Sequence, residues 1–271
     1  MSLLSQDRQR RIISEVFKRK HVTARDLAEQ MEVSEATVRR DFKALADSGQ
    51  VDLVYGGATL ARNTDYSFGS KAKRNLVAKR AIAALAVELI SNDDQLLLDS
   101  GTTCFEVASL LKNKRGLSVI VNSAPLALEL GVPGISVIML GGQYRADRMD
   151  TVGPLCTTQL DQLRGYRALV GADGLSKDFG PAASDVESAH LYRLAIRNAK
   201  ETLLLVDHSK FEAPSLFKVV EWDAISVVIT DRAPSPDWTE FFRSLGIKVL
   251  FPQTPAKSTG NTEEQASESV S

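Results

Sequence analysis

Five short polar runs each follow an apolar, β-rich run: Asp99-Ser100-Gly101-Thr102-Thr103, Asn122-Ser123, Gly141-Gly142 through Arg145, Ala172-Asp173-Gly174, and Asp207 through Lys210. The first is the sharpest. It links the run QLLLD to the helical pattern TCFEVASLL, so Ser100, Thr102 and Thr103 stand where a strand turns into a helix. Gly101 allows a ligand close to the backbone there, and Asp99 sits at the strand end. A helix start presents unpaired N–H groups and the positive end of the helix dipole, and a phosphate is the natural ligand for both. Lys210 offers a second phosphate contact or a partner for a carboxylate. Each run alone has an ordinary reading as a capped helix, a tight turn or a solvated lysine. Their joint placement at strand ends carries the ligand reading.

The elements that must hold these runs alternate between strand and helix from about residue 76 to 252. Strand-like QLLLD, SVIV, ISVIML, RALVGA, TLLLVD, AISVVIT and IKVLF are apolar on both sides, and helical stretches such as LVAKRAIAALAVELI and the region 187–199 separate them. Strands of that kind are buried on both faces, which implies a mainly parallel sheet between helical layers. Ligands of open α/β sheets sit at the carboxyl ends of the strands, where the polar runs fall. Residues 61–75, ARNTDYSFGSKAKRN, are polar and read as a linker. Residues 253–271 have Val270 as their one large apolar side chain and are expected to be disordered.

Residues 1–60 form a separate, helical and basic module. Ile12, Ile13, Val16 and Phe17 mark a first helix. A second is capped by Thr23, with Val22 and Leu27 in staple positions. Ser34 caps a third, which ends near Gly49. On that third helix Val38, Phe42 and Leu45 share one face; Ala36, Arg40, Lys43 and Ala44 share the other, flanked by Thr37 and Arg39. Small and basic residues suit a helix entering the major groove, where Arg reads guanine and Thr or Arg reaches phosphate. The following VDLVYGGATL reads as a strand, a turn at Gly56-Gly57 and a second strand, a wing behind a recognition helix. Charge agrees: residues 1–80 carry 16 Lys and Arg against 10 Asp and Glu, while the whole chain is at −1. A basic head on an acidic body points to a polyanionic partner.

Composition excludes other classes. No apolar run approaches the ~20 residues of a membrane helix, and MSLLSQDRQRR has no signal-peptide core, so the expected location is the cytoplasm. Cys104 and Cys156 stand alone, without a CxxC partner; neither a disulfide nor a metal is expected, and no cofactor.

The run VSEATVRRDFKAL followed by YGGA resembles the winged helix-turn-helix of DeoR-type bacterial repressors. Val33, Ser34, Thr37, Arg39, Arg40, Asp41, Leu45, Gly56 and Gly57 match that pattern. Ser34, Glu35, Thr37, Arg39, Arg40, Lys43, Gly56 and Gly57 are the DNA-binding set this implies. Asp52, Leu53 and Tyr55 stand where the family carries a basic residue and a histidine. LDSGTT, VNSAPLA, LGGQYR, GADGL and DHSKF resemble the family's sensor domain, which is similar in fold to ribose-5-phosphate isomerase. The resemblance implies a phosphorylated sugar as effector, held by Asp99, Ser100, Gly101, Thr102, Thr103, Asn122, Gly141, Gly142, Glu187, Asp207 and Lys210. The expected protein is an α/β chain with a winged helix-turn-helix head. It would act as a homo-oligomeric repressor of a carbohydrate operon on double-stranded operator DNA. Two alternatives stand. One is a sugar-phosphate isomerase with a DNA-binding head, with Asp173, Glu187 or Asp207 as base and Lys210 as cation. The other is a sequence-independent nucleic-acid binder.

Overall fold

The computed structural model describes residues 5–19, 21–47, 51–60, 67–211, 213 and 215–253. The expected disordered tail from 254 on, the start of the expected linker and the cap at Gly49 lie outside them.

The head runs α1 (Ser5–Arg19), β1 (His21–Thr23), α2 (Ala24–Met31), α3 (Glu35–Asp47), β2 (Val51–Val54) and β3 (Gly57–Leu60). Thr23 Oγ1 accepts from the Asp26 N–H at 3.1 Å and Ser34 Oγ from the Thr37 N–H at 3.2 Å, so both expected N-caps form. Val22 and Leu27 are both buried. Between α2 and α3, Glu32 takes a left-handed backbone (φ 53°) that closes α2. Ile12, Val16, Leu27, Val38, Phe42 and Leu45 meet in one core. The wing is a three-stranded sheet, since β3 pairs with β1 as well as β2. A strand as short as His21–Thr23 leaves no alternation to read.

The body begins with α4 (Phe68–Lys73) and α5 (Leu76–Glu88). Then come β4 (Gln95–Leu98), α6 (Thr102–Leu111), β5 (Leu117–Val121), α7 (Ala124–Leu130) and β6 (Ile135–Met139). Next are β7 (Gln143–Arg145), β8 (Asp150–Val152), α8 (Pro154–Asp161), β9 (Arg167–Val170), β10 (Gly174–Ser176) and β11 (Gly180–Ala183). It ends with α9 (Val186–Asn198), β12 (Glu201–Leu205), β13 (Phe217–Lys218), β14 (Val227–Ile229), α10 (Pro236–Ser244) and β15 (Lys248–Leu250). Seven strands form one sheet in the order β15-β14-β12-β9-β4-β5-β6, and every pairing in it is parallel. The apolar runs explain it. Leu96 and Leu98 face a core with α5, α6 and α7, while Leu97 faces a core with α8, α9 and α10. A strand with Leu at every position satisfies both layers at once.

Two features differ from the sequence expectation. Phe68–Lys73, inside the stretch read as linker, is helical: Ser67 caps it, and the Phe68 ring packs edge-on against Phe105 of α6 at 5.6 Å. One half-buried aromatic packs a polar segment against the body, which average polarity hides. Two small antiparallel elements, β7–β8 and β10–β11–β13, rise from the carboxyl ends of the main strands. Their strands of two to four residues sit in runs that read as loops.

Candidate functional site

The strand order reverses at β4. The chain adds β5 and β6 on one side and then returns to place β9 on the other, so the loops after β4 and β9 flank the topological switch point, where open α/β sheets form their ligand crevice. Asp99 stands in that crevice. It is buried, with one carboxylate oxygen accepting the Gly101 N–H at 2.7 Å and the other the Gly171 N–H at 2.5 Å. Burial pushes its pKa up, against the pull of those N–H donors and of Lys71. Asp99 thus ties the two loops together. Gly101 is needed for this, because a Cβ there would lie 2.7 Å from Asp99 Oδ1.

α6 starts beside Asp99 without a side-chain cap, since its N-cap is Gly101. Asp99 takes the Gly101 N–H, and among the described residues those of Thr102, Thr103 and Cys104 meet no hydroxyl or carboxylate. The Thr102 hydroxyl meets the Lys71 carbonyl at 3.5 Å, and Lys71, Lys79 and Lys210 act on one another's surroundings. Lys71 Nζ lies 2.6 Å from Asp173 Oδ1, and Asp173 also accepts the Ser184 N–H at 2.9 Å. Burial alone would raise the Asp173 pKa, but Lys71 and Lys210 hold it well below the usual carboxylate range. Lys79 is buried on α5 and donates to the Lys71 carbonyl. Burial lowers its pKa to about 8, with Asp207 opposing and Lys210 and Lys71 adding to the fall. Asp207 accepts from Asn75 Nδ2 at 3.0 Å and from the Ser209 N–H at 2.9 Å, shaping the turn that presents Lys210.

The expected site residues divide by what already occupies them. Ser100 Oγ donates to Asp150 Oδ2 at 2.9 Å and lies 3.4 Å from the Tyr192 hydroxyl. Asn122 is buried and exchanges two bonds with Thr151, its amide donating at 2.9 Å and its carbonyl accepting at 2.8 Å, which anchors β8. Gly141 N–H donates to Gln159, and a Cβ on Gly142 would lie 2.5 Å from the Val152 carbonyl. That pair serves packing of β8 and α8. Glu187 is exposed on the first turn of α9 and bonds to none of the other expected site residues. Its neighbour Asp185 does the visible work: it caps α9 and takes Arg145 at 2.8 Å and Arg148 at 2.6 Å, while Arg145 also grips Asp150 with two bonds. Thr102, Thr103 and Lys210 remain beside the open helix start, and sequence reasoning missed Lys71 and Lys79. A lone Phe68 behind a capping Ser67 was the signal for the helix that carries Lys71. A wider cleft of about 610 Å³ opens at the opposite ends of β12 and β14. Its arginines are committed, Arg193 to the carbonyls of Lys218 and Val219 and Arg197 to Asp161.

On the head, α3 turns Ala36, Arg39, Arg40, Lys43 and Ala44 to solvent and buries Val38, Phe42 and Leu45. Ser34 and Thr37 spend their hydroxyls on each other at 2.9 Å, and Arg39 is paired with Glu35 at 2.7 Å. Arg40 and Lys43 have no such partner among the described residues. Asp41 is structural, bonded by Arg8 of α1 beneath the surface. The two wing glycines differ. Gly56 has φ +76° in open space, whereas a Cβ on Gly57 would lie 2.1 Å from the Val22 carbonyl. Leu53, Val54 and Tyr55 are exposed at the wing tip.

A winged helix-turn-helix head joined to a parallel α/β body with a polar crevice is the architecture of a ligand-sensing transcription regulator. Residues 8–64 match the model of the DeoR-like helix-turn-helix domain and residues 74–232 that of the DeoR C-terminal sensor domain, so the chain belongs to the DeoR family. Its relatives include the lactose phosphotransferase system repressor of Lactococcus lactis, 32% identical over 82% of this chain and 89% of that one. The transcriptional repressor AccR of Agrobacterium fabrum is 30% identical over 84% and 90%. The regulator GlpR of Haloferax volcanii is 28% identical over 92% and 98%. These are regulators and not enzymes, and the isomerase alternative falls with them. Among solved structures, a ribose-5-phosphate isomerase in complex with phospho-erythronic acid matches 49% of this chain and 52% of its own at TM-score 0.37 and 18% identity. The eIF2B beta subunit of Chaetomium thermophilum matches 92% and 88% at TM-score 0.44 and 15% identity. No helix among the described residues is long and apolar enough to cross a membrane.

Proposed function

We propose that this regulator represses a carbohydrate catabolic operon and that a phosphorylated sugar, bound at the crevice between β4 and β9, sets its affinity for operator DNA. One observation carries the reading: at the topological switch point of a parallel sheet, the start of α6 has no side-chain cap and its Thr102 hydroxyl meets the carbonyl of Lys71, whose ammonium acts with Lys210 on Asp173. A dianionic phosphate complements both the cations and the helix dipole. Thr102 and Thr103 supply N–H groups, and Asp173 and Asp207 are placed for sugar hydroxyls. Asp99, Asn122, Gly141 and Gly142 hold the loops in place. The names of the relatives, the lactose system repressor among them, support the carbohydrate part.

On DNA, α3 enters the major groove, with Arg40 and Lys43 as the direct contacts. Ser34 and Glu35 set the helix start and orient Thr37 and Arg39, and Gly56 and Gly57 shape the wing. A symmetric oligomer places two such helices ~34 Å apart on paired half-sites. Effector binding then changes operator affinity by a factor of roughly 5–150.

The test has two arms. Binding sites are first selected from random DNA with the full chain, and Arg40→Ala should lower affinity for the selected site about 10- to 100-fold while leaving the fold intact. Binding to the selected site should survive excess random competitor; loss to competitor would favour the sequence-independent reading. Phosphorylated pentoses and hexoses are then compared with the free sugars. A shift in DNA affinity with a phosphorylated sugar alone supports the reading, and a shift with free sugars alone refutes the phosphate site.

A further inference from the structure

We propose that the wing meets DNA through an apolar wedge, with Tyr55 at its apex entering the minor groove beside α3, and that this wedge makes a deformable base step part of the operator. The inference rests on the reading of α3 in the major groove and adds what the wing recognises.

The hairpin leaves one place for the chain to turn. Val54 pairs with Gly57, so Tyr55 and Gly56 alone form the loop between β2 and β3. Gly56 takes the φ of +76°, and Tyr55 keeps an ordinary backbone at the apex. The loop is also held from behind. The Gly56 carbonyl accepts the N–H of Ala24, the first residue of α2, at 3.0 Å, and a Cβ on Gly57 would lie 2.1 Å from the Val22 carbonyl. Farther down, Val51 and Ala58 are buried in the head core with Val38 and Phe42. The wing is therefore a fixed projection, and a contact at its tip costs little ordering.

What the tip offers is apolar. Tyr55 is fully exposed, Leu53 is 54% exposed and Val54 41%. From Val51 to Leu60 the sequence has no lysine or arginine, and its one charge is Asp52. Exposed cations of the head such as Arg40 and Lys43 are on its helices. One exposed apolar side chain is ordinary, but three in succession on a rigid tip stabilise nothing in the free head.

The occupant follows from continuity with α3. That helix ends at Asp47 and β2 starts at Val51, and Leu45 and Val51 share one core, so the wing flanks the recognition helix. A helix seated in the ~12 Å major groove puts a neighbouring projection over the ~6 Å minor groove. A tip without a cation gains nothing there from phosphate charge. An aromatic apex packs instead on sugars and bases and opens a base step, as apolar wedges do. Opening is easiest at pyrimidine–purine steps, whereas a cation prefers the narrow minor groove of an A-tract.

The experiment selects sites from random DNA with the full chain and with its Tyr55→Ala, Tyr55→Phe and Tyr55→Arg variants. Binding of each to the site chosen by the unsubstituted protein is then measured across a salt series. That site should carry a TA or CA step at a fixed distance from the bases read by α3. Tyr55→Ala should show no preferred step there, bind about tenfold more weakly for the loss of one aromatic stack, and keep the same salt slope. Tyr55→Phe should match the unsubstituted protein. Tyr55→Arg should move the preference to an A-tract and steepen the salt slope by about one. Since Tyr55 is fully exposed, none of the three should move the melting of the head. Four results would overturn the wedge while leaving α3 in place: a flank without step preference, unchanged affinity in Tyr55→Ala, a Tyr55→Phe variant as weak as Tyr55→Ala, which means a hydroxyl bond to phosphate, or lost affinity that sediments with a changed oligomeric state, which means a second copy on the tip. Failure of the unsubstituted protein to select any site, or full binding by Arg40→Ala, would overturn the reading of α3, and the wedge with it.

Discussion

The link between α1 and the recognition helix gives the most direct test of how the head is held. Arg8 of α1 bonds Asp41 of α3 through two nitrogens, and their side chains are 10% and 5% exposed. Ser5 and Gln9 add contacts at 3.4 Å each to the same carboxylate. Arg8→Ala removes the guanidinium and leaves a carboxylate that α3 cannot turn to water without moving its apolar face out of the core. Breaking a buried pair from one side costs about 3–5 kcal/mol. The pair lies just beneath the surface of a thin module, so about 3 kcal/mol applies. The head core is small, with twelve buried apolar side chains among the described residues, and a module of that size has roughly 5 kcal/mol in total. At 4–8 °C per kcal/mol for a small domain, melting of the head should fall by about 12–24 °C. Calorimetry of the full chain would show the head transition moving and the body transition fixed. Arg8→Met with Asp41→Leu should recover most of the loss, because an apolar pair of similar volume carries no desolvation penalty. A head transition that moves by less than about 4 °C in Arg8→Ala, or a double variant no better than the single, would refute the buried-pair argument.

Three further outcomes follow from individual sites. Lys79 has a folded pKa of about 8 against an ordinary 10.5, so below pH 8 it is charged in both states and its burial penalty is constant. Between those values the unfolded chain binds the proton more strongly. The stability of the protein should therefore rise with pH relative to Lys79→Met, which should be about 3 kcal/mol the more stable at pH 7, with a gap that closes by pH 10.5 in urea melts. In the wing, Gly57→Ala places a methyl against the Val22 carbonyl and should cost more than 2 kcal/mol of head stability, whereas Gly56→Ala, strained only by its φ of +76°, should cost about 1 kcal/mol. Burial pushes the Cys104 thiol well up and the Cys156 thiol to about 11, so neither should react with a thiol reagent at pH 8 until the chain unfolds; fast labelling of the native protein would contradict that burial.

Much of the scaffold was legible because apolar periodicity is read over long windows. The seven main strands fall within the apolar runs of four to seven residues, and the helices packed on them within the longer periodic stretches. The N-caps at Thr23 and Ser34 were legible for the same local reason, a hydroxyl three residues ahead of a free N–H. What was lost is short. His21–Thr23, Phe217–Lys218 and the strands around Asp150 and Gly180 have two to four residues each, and their pairing is set by tertiary contact alone. The helix Phe68–Lys73 was lost because its composition is that of a linker and a single aromatic decides its fate.

The same limit shaped the reading of the crevice. A motif such as LDSGTT tells which residues are special, but special residues are of two kinds: those that hold a loop in position and those left free to meet a ligand. Only partner geometry separates them. Asp99 has both oxygens filled by backbone N–H groups, Asn122 spends its amide on Thr151, and Gly142 is demanded by a carbonyl that any Cβ would strike. Subtracting those leaves Thr102, Thr103 and Lys210 near the start of α6, with Lys71 paired to Asp173 and Lys79 bonded to the Lys71 carbonyl. Two of the three lysines, Lys71 and Lys79, come from α4 and α5, ahead of the first sheet strand and outside any strand-end motif. The charge in the site is therefore supplied mainly by the segment that joins it to the head.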